Sequence, residues 1–509
     1  MTSRFEPNRR QVVQGLASGA AATCLPWSVR AQEAVDPKFL IVLAAGGGAS
    51  IIDAMLAIRQ SESNRGAAIN TFPDAQAPTI PGSPFRAVDL NIDGLGPIPH
   101  QSVTNQSTFV TDHHEQMMVV TCTGTSVNHV VAQKRSLTGN DAFSGRTLQE
   151  AVAAHYGAGF PIPNVNMATG GYVEPGVDAS LPAYARAEVV VDFVRWFAGL
   201  HGSRGILGAP AQSLIEKARR MRDERFDRES VFGRTFKNSP ALQSWRAKRA
   251  KTREYEAAKL VEKANFLPDM ADLGGGRVLA DYDLLSDGRD VELLWGVFPN
   301  LGFDPLEQQA ALAYLLIKNR ISVTVTLGDS AAPVIPPQEL ITPQRIVDSP
   351  PLAFDFSHAS HRDSQALMWH RLLNVATRLI RMLDNAPYGG GQSFWDRTLM
   401  YVATDFGRTR NRVANSTEFG SGHHLNNGNL VVSPLVNGGT VLGGVNPHNG
   451  MTYGFDPLTG APEGPDNPEA GDNLGRQMTE PEIYAGIVQA LGVDTSGSTL
   501  PDVPAMRAG

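Results

Sequence analysis

The segment from Trp395 to His424 limits what this chain can fold into more than any other. Its apolar run, Thr398 to Ala403, is rich in β-branched and aromatic residues and reads as a buried strand. An acid, Asp405, stands at the carboxyl end of that strand and is followed by Phe406-Gly407-Arg408-Thr409. One polar loop later comes Gly422-His423-His424. Open α/β sheets bind ligands beyond the carboxyl ends of their strands. Carboxylate and imidazole together are the donors that hard or borderline metals take. The plainer reading is a turn-capping Asp with two solvated histidines.

Other segments repeat the strand-then-helix pattern. Phe39 to Ala45 reads as a first strand, Met117 to Thr121 as a second, and Leu148 to Tyr156 as a helix. Ala187 to Phe193 is strand-like, Pro305 to Lys318 helical, and Ile321 to Leu327 a strand. Such alternation predicts an α/β fold: a doubly wound, mostly parallel sheet with helices on both faces. With 509 residues, 42% of them hydrophobic, the chain can bury a large core as one domain with insertions. The 44 basic residues do not outnumber the 51 acidic ones, which argues against a nucleic-acid partner. No apolar run is long enough to span a bilayer.

The first 31 residues read as a twin-arginine signal peptide. Arg9-Arg10-Gln11-Val12-Val13 precedes a weakly apolar run, Gly15 to Pro26, and Val29-Arg30-Ala31 offers a cleavage site. The expected partner is the twin-arginine export machinery, and the expected location of the mature chain, starting near Gln32, is periplasmic or secreted. Of the two cysteines, Cys24 leaves with the leader and Cys122 remains, so no internal disulfide can form. Gln60 to Gln106 is rich in Pro, Gly, Ser and Asn and reads as a long surface excursion. Leu214 to Ala264 is charge-dense at helical spacing and reads as two solvent-facing helices within an insertion of about 205–290.

Four segments carry candidate chemistry. Gly46-Gly47-Gly48 after the first strand lacks the rest of a dinucleotide or phosphate-loop fingerprint. It reads as a sharp turn that lets the backbone approach something closely, with Asp53 just beyond as a ligand or a helix cap. Thr125 and Ser126 follow the second strand and precede a helix, where a hydroxyl can serve as nucleophile and His129 can orient it. Ser126 or Asn128 as an ordinary N-cap is the alternative. Asp355, His358 and His361 recur at threes before a long amphipathic helix carrying Leu367, Leu372, Leu379 and Leu383 on one side. Thr111 to Glu115 also holds two histidines and acids, but it precedes its strand and reads as a solvated loop at the opposite sheet edge.

Taken together these segments resemble the exported bacterial DUF1501 family of the alkaline phosphatase/sulfatase-like superfamily. The resemblance rests on the leader, His129-x-x-Ala132-Gln133, Leu137-Thr138-Gly139, Asp355-x-x-His358, Trp395-Asp396-Arg397-Thr398-Leu399, Asp405-Phe406-Gly407-Arg408-Thr409 and Gly422-His423-His424. It implies an alkaline phosphatase-like sheet with a divalent metal (zinc, manganese or calcium) at the strand ends, in a single or degraded site. By position Asp53, Asp355, His358, Asp405 and His423 or His424 would be ligands. Thr125 or Ser126 would attack, and Arg408 would pair with a substrate anion. The substrate class implied is a small or polymeric phosphate or sulfate ester. Two departures from the superfamily pattern, Phe406 in place of a histidine and the late position of Asp53, favour the alternative of a non-catalytic relative that binds an anionic ligand, glycan or envelope partner. The surroundings of Cys122, which comes early and lacks the following Pro-x-Arg, argue against a formylglycine sulfatase.

Overall fold

The computed structural model describes residues 36–508 apart from 97, 202–203, 205, 207, 273–275, 330–352 and 471–474. The expected leader lies outside the described residues. The core is an eight-stranded sheet with helices packed against it. In chain order its strands are β1 (Phe39–Ala45), β2 (Met117–Thr123), β3 (Asn164–Asn166), β4 (Glu188–Val189), β5 (Thr324–Gly328), β6 (Thr398–Thr404), β7 (Asn426–Val432) and β8 (Thr440–Leu442). The spatial order is β8-β2-β7-β6-β1-β5-β3-β4. Every residue of β1 and β6 is buried, so neither face of the sheet meets water at its centre.

β1 lies parallel to both β5 and β6, with Phe39 opposite Thr398 and Ala45 opposite Thr404. The paired ends set the turn after β1 beside Asp405. β7 alone runs against its neighbours β2 and β6. An antiparallel strand starts where parallel ones finish, so the residues just before β7, His423 and His424, arrive at the edge where β1, β2 and β6 end. The mostly parallel sheet expected from the sequence holds; β3, β7 and β8 are additions to it, as is this reversal.

Two expectations need correction. Thr111 to Glu115 is not a solvated loop: Gln106–His113 is a helix, and His113 is buried against Phe109. The excursion from Gln60 is more than a surface loop, since Phe72, Phe85 and Ile92 are all buried. Between 205 and 290 the expected helices are present. Gln212–Met221 continues through a π-helical stretch to Glu229, and Pro240–Ala257 returns beside it.

The long amphipathic helix is His361–Asp384, and Leu367, Leu372, Leu379 and Leu383 are all buried. It also buries His370, whose Nε2 meets the Asn374 amide at 2.9 Å. Burial, with the nearby charges of His100, Arg371 and Arg378, pushes the His370 pKa down from 6.5 to about 4. Between those values the unfolded chain binds the extra proton and the folded chain does not, so stability falls as pH drops through that window. His370→Gln is expected to remove up to about 3 kcal/mol of this acid sensitivity. Urea melts of both proteins at pH 7 and pH 4 check it: an equal loss on acidification would refute the assignment.

Candidate metal centre

The site is built on the turn after β1. Gly47 and Gly48 take φ of +93° and +82°, and their amides point at one buried carboxylate. Gly48 N–H donates to Asp405 Oδ1 at 2.7 Å and Gly47 N–H to Oδ2 at 3.1 Å. Phe406 N–H adds a third donor at 3.1 Å. The turn also needs glycine for space. A Cβ on Gly47 would lie 2.3 Å from the Asp355 backbone nitrogen, and one on Gly48 would lie 2.8 Å from Arg408 Nε. The close approach expected of these glycines is to the Asp355 segment and Arg408.

Asp405 in turn fixes His129. Its Oδ2 lies 2.8 Å from His129 Nδ1, so Nδ1 carries the proton and Nε2 presents a lone pair outward. His129 is the first residue of the helix His129–Thr138, whose N-cap is Asn128. The hydrogen bond to Asp405 raises the His129 pKa, with burial opposing. His423 is set the same way by a carbonyl: its Nδ1 donates to Val127 O at 2.9 Å, which leaves Nε2 outward. Phe406 stacks on His423 at 4.2 Å and touches His129 at 4.8 Å, a wall that limits the tilt of both rings.

Asp355 Oδ1 lies at the centre of the imidazoles. It is 3.5 Å from His129 Nε2, 3.5 Å from His423 Nε2 and 3.2 Å from His358 Nε2. Burial works to raise the Asp355 pKa, but the Arg408 hydrogen bond and the charges of His129, Arg408 and His358 hold it below its ordinary value. His358 and His423 face each other through Nε2 at 2.8 Å. Burial and the Arg408 charge lower the His358 pKa, which favours the neutral ring a metal requires. One atom each from His129, Asp355 and His423 fall within 4.8 Å of one another, the spread of a metal-holding group. Bonds of about 2.0–2.1 Å in a tetrahedral site separate ligand atoms by roughly 3.3–3.4 Å, close to the three Asp355 distances.

The other candidate residues are placed elsewhere. Asp53 is buried and bonded to His361 Nε2 at 2.9 Å, and His361 Nδ1 reaches Ser421 Oγ at 2.8 Å. Burial alone would raise the Asp53 pKa; His361, Ser50 and Asn70 bring it below the usual value. The pair ties the long helix to the loop that carries His423. Asp405 sits behind His129 and acts on a ligand through it. His424 points away, as alternation along a strand requires, and its Nε2 meets Arg410 at 3.2 Å. Arg408 is fully buried: it donates to Gly47 O and Ser421 O and holds Asp355 at 2.7 Å. Thr125 Oγ1 is bonded to Glu480 at 2.8 Å, and Ser126 Oγ accepts from Asn128 N–H at 3.1 Å, so both hydroxyls are held by groups other than the imidazoles.

The sequence reading missed two contributors, the Val127 carbonyl that orients His423 and the packing of Phe406 against both rings, and neither had a signal in the sequence.

No protein-family model matches the chain, and no curated protein matches it. Among solved structures, one described as "Crystal structure of Ps i-CgsB" aligns with a TM-score of 0.30 and 8% identity, over 91% of this chain and 73% of that one.

Proposed function

We propose that this chain is an exported, metal-dependent hydrolase of phosphate or sulfate esters with an alkaline phosphatase-like sheet. The observation that supports it best is the convergence of His129, His358 and His423 on Asp355 with two ring orientations fixed from behind. That donor set suits zinc, with manganese as the alternative; calcium prefers oxygen ligands. A bound divalent ion would supply Lewis acidity toward a phosphoryl or sulfuryl oxygen and lower the pKa of a water molecule.

The chain's own groups would do the rest. Asp405 holds the Nδ1 proton of His129, and the Val127 carbonyl holds that of His423, so both Nε2 atoms stay available. Arg408 keeps Asp355 ionised and in place. Since Thr125 and Ser126 are bonded to Glu480 and Asn128, a water molecule is the better candidate nucleophile. The second reading, a non-catalytic relative that binds an anionic ligand, glycan or envelope partner, is favoured by Asp53, which is bonded to His361 and leaves the cluster one carboxylate short.

The test is turnover of para-nitrophenyl phosphate and para-nitrophenyl sulfate by protein purified without chelator, before and after chelation. The expected result is hydrolysis of at least one ester, lost on chelation and restored by zinc or manganese. Bound metal without turnover on a broad ester panel would select the second reading.

A further inference from the structure

The charge-dense helices that the fold expels from its core form an antiparallel hairpin. Arg219 bonds Glu256 at 2.6 and 2.9 Å, and Arg249 bonds Asp223 at 2.7 Å. Arg249 also pairs with Asp227, and Arg253 with Asp223. These bonds zip the outgoing helix to the returning one, so the connection from Ser230 to Ser239 is the apex. The 18 residues of Pro240–Ala257 would extend about 27 Å.

The apex is apolar where solvent-facing helices are usually polar. Phe226 is 60% exposed, Val231 72%, Phe232 61% and Trp245 53%; Phe236 is exposed beside Phe232 at 4.9 Å. Arg249 lies over the Trp245 ring at 4.3 Å, whereas the rings of Phe226, Phe232 and Phe236 stand open to solvent. Around these rings the charge is strongly basic. Residues 212–257 hold thirteen Lys/Arg and seven Asp/Glu, a net of +6 in a chain of net −7, so the remainder carries −13. Asp223 and Asp227 are consumed in the zip, whereas Arg228, Arg234 and Lys237 are exposed and make no ion pair among the described residues.

We infer that this apex is a docking surface for an anionic lipid bilayer. Aromatic rings flanked by Lys and Arg match the interface of such a membrane, where rings settle at headgroup level and basic side chains meet anionic lipids. The charge division orients the chain: an anionic surface attracts the apex and repels the acidic remainder. A patch for an acidic protein partner would use the same charge, but it would not need three uncovered phenylalanine rings at the end of a hairpin.

Co-sedimentation of the full chain with vesicles tests this. Binding is expected to phosphatidylcholine vesicles containing about 30% phosphatidylglycerol, and several-fold less to phosphatidylcholine alone. The double variants Phe232→Ser/Phe236→Ser and Arg234→Glu/Lys237→Glu are each expected to lower partitioning about ten-fold with an unchanged melting temperature. Binding by either variant equal to that of the unsubstituted chain, or no binding to either vesicle, overturns the inference. So does a concentration-dependent dimer, seen by sedimentation velocity and lost in the same variants, which would assign the apex to a second copy of the chain.

Discussion

His423→Ala is expected to reduce bound divalent metal from about one equivalent to below a tenth, measured by elemental mass spectrometry on protein purified without chelator. The substitution removes an Nε2 that lies 3.5 Å from Asp355 Oδ1 and 2.8 Å from His358 Nε2, so two of the closest contacts of the cluster go at once. His423 is partly exposed, and its loss strands no buried charge. Metal loss is therefore separable from unfolding. Asp405→Asn should act more gently. The carboxylate touches His129, not the metal position, and its replacement is expected to weaken affinity by about 10–100-fold. With metal at a hundred times its dissociation constant, the unsubstituted protein should gain about 2.7 kcal/mol of stability that His423→Ala does not. Equal metal content in all three proteins would remove the proposed site.

Trp369→Ala is expected to cost about 3–5 kcal/mol in urea unfolding. Trp369 is 1% exposed, and its indole N–H donates to Ser50 O at 3.2 Å. Its ring meets Phe354 edge-on at 5.7 Å. Ser50 ends the glycine turn and Phe354 precedes Asp355, so one side chain braces two segments of the cluster from beneath. The cavity left by alanine would loosen both, and metal affinity should fall along with stability. Trp369→Phe keeps most of the packing and should lose only about 1 kcal/mol, the worth of the hydrogen bond. A cost below about 1 kcal/mol for Trp369→Ala would mean that the turn is held by other groups.

Much of the scaffold was legible because its signals are local. Phe39–Ala45 and Pro305–Lys318 have the bounds that their apolar runs suggested, and β6 differs from its expectation only by the addition of Thr404. Each of these reports burial through its own side chains. The helical hairpin was legible for the opposite reason, since its charges mark it as lying outside the core. Short β3 and β4 were less so, because two or three residues show no period.

The candidate site divides along the same line. From the sequence alone came the residue types, the acid at the end of a buried strand and the glycines that must pass close to another segment. The selection among those residues was tertiary. Asp53 and Asp405 both stand near strand ends, yet one is bonded to His361 and the other to His129, because residues more than 270 positions away supply the partners. His423 and His424 are adjacent, yet only His423 joins the cluster, because the ribbon they form with Gly407–Arg408 turns alternate side chains to opposite faces. Composition and periodicity determined that this chain builds a sheet and places acids and imidazoles at its edge. Strand order, and above all the reversed β7, decided which of them meet, because convergence on one point depends on pairings between segments that no local pattern records.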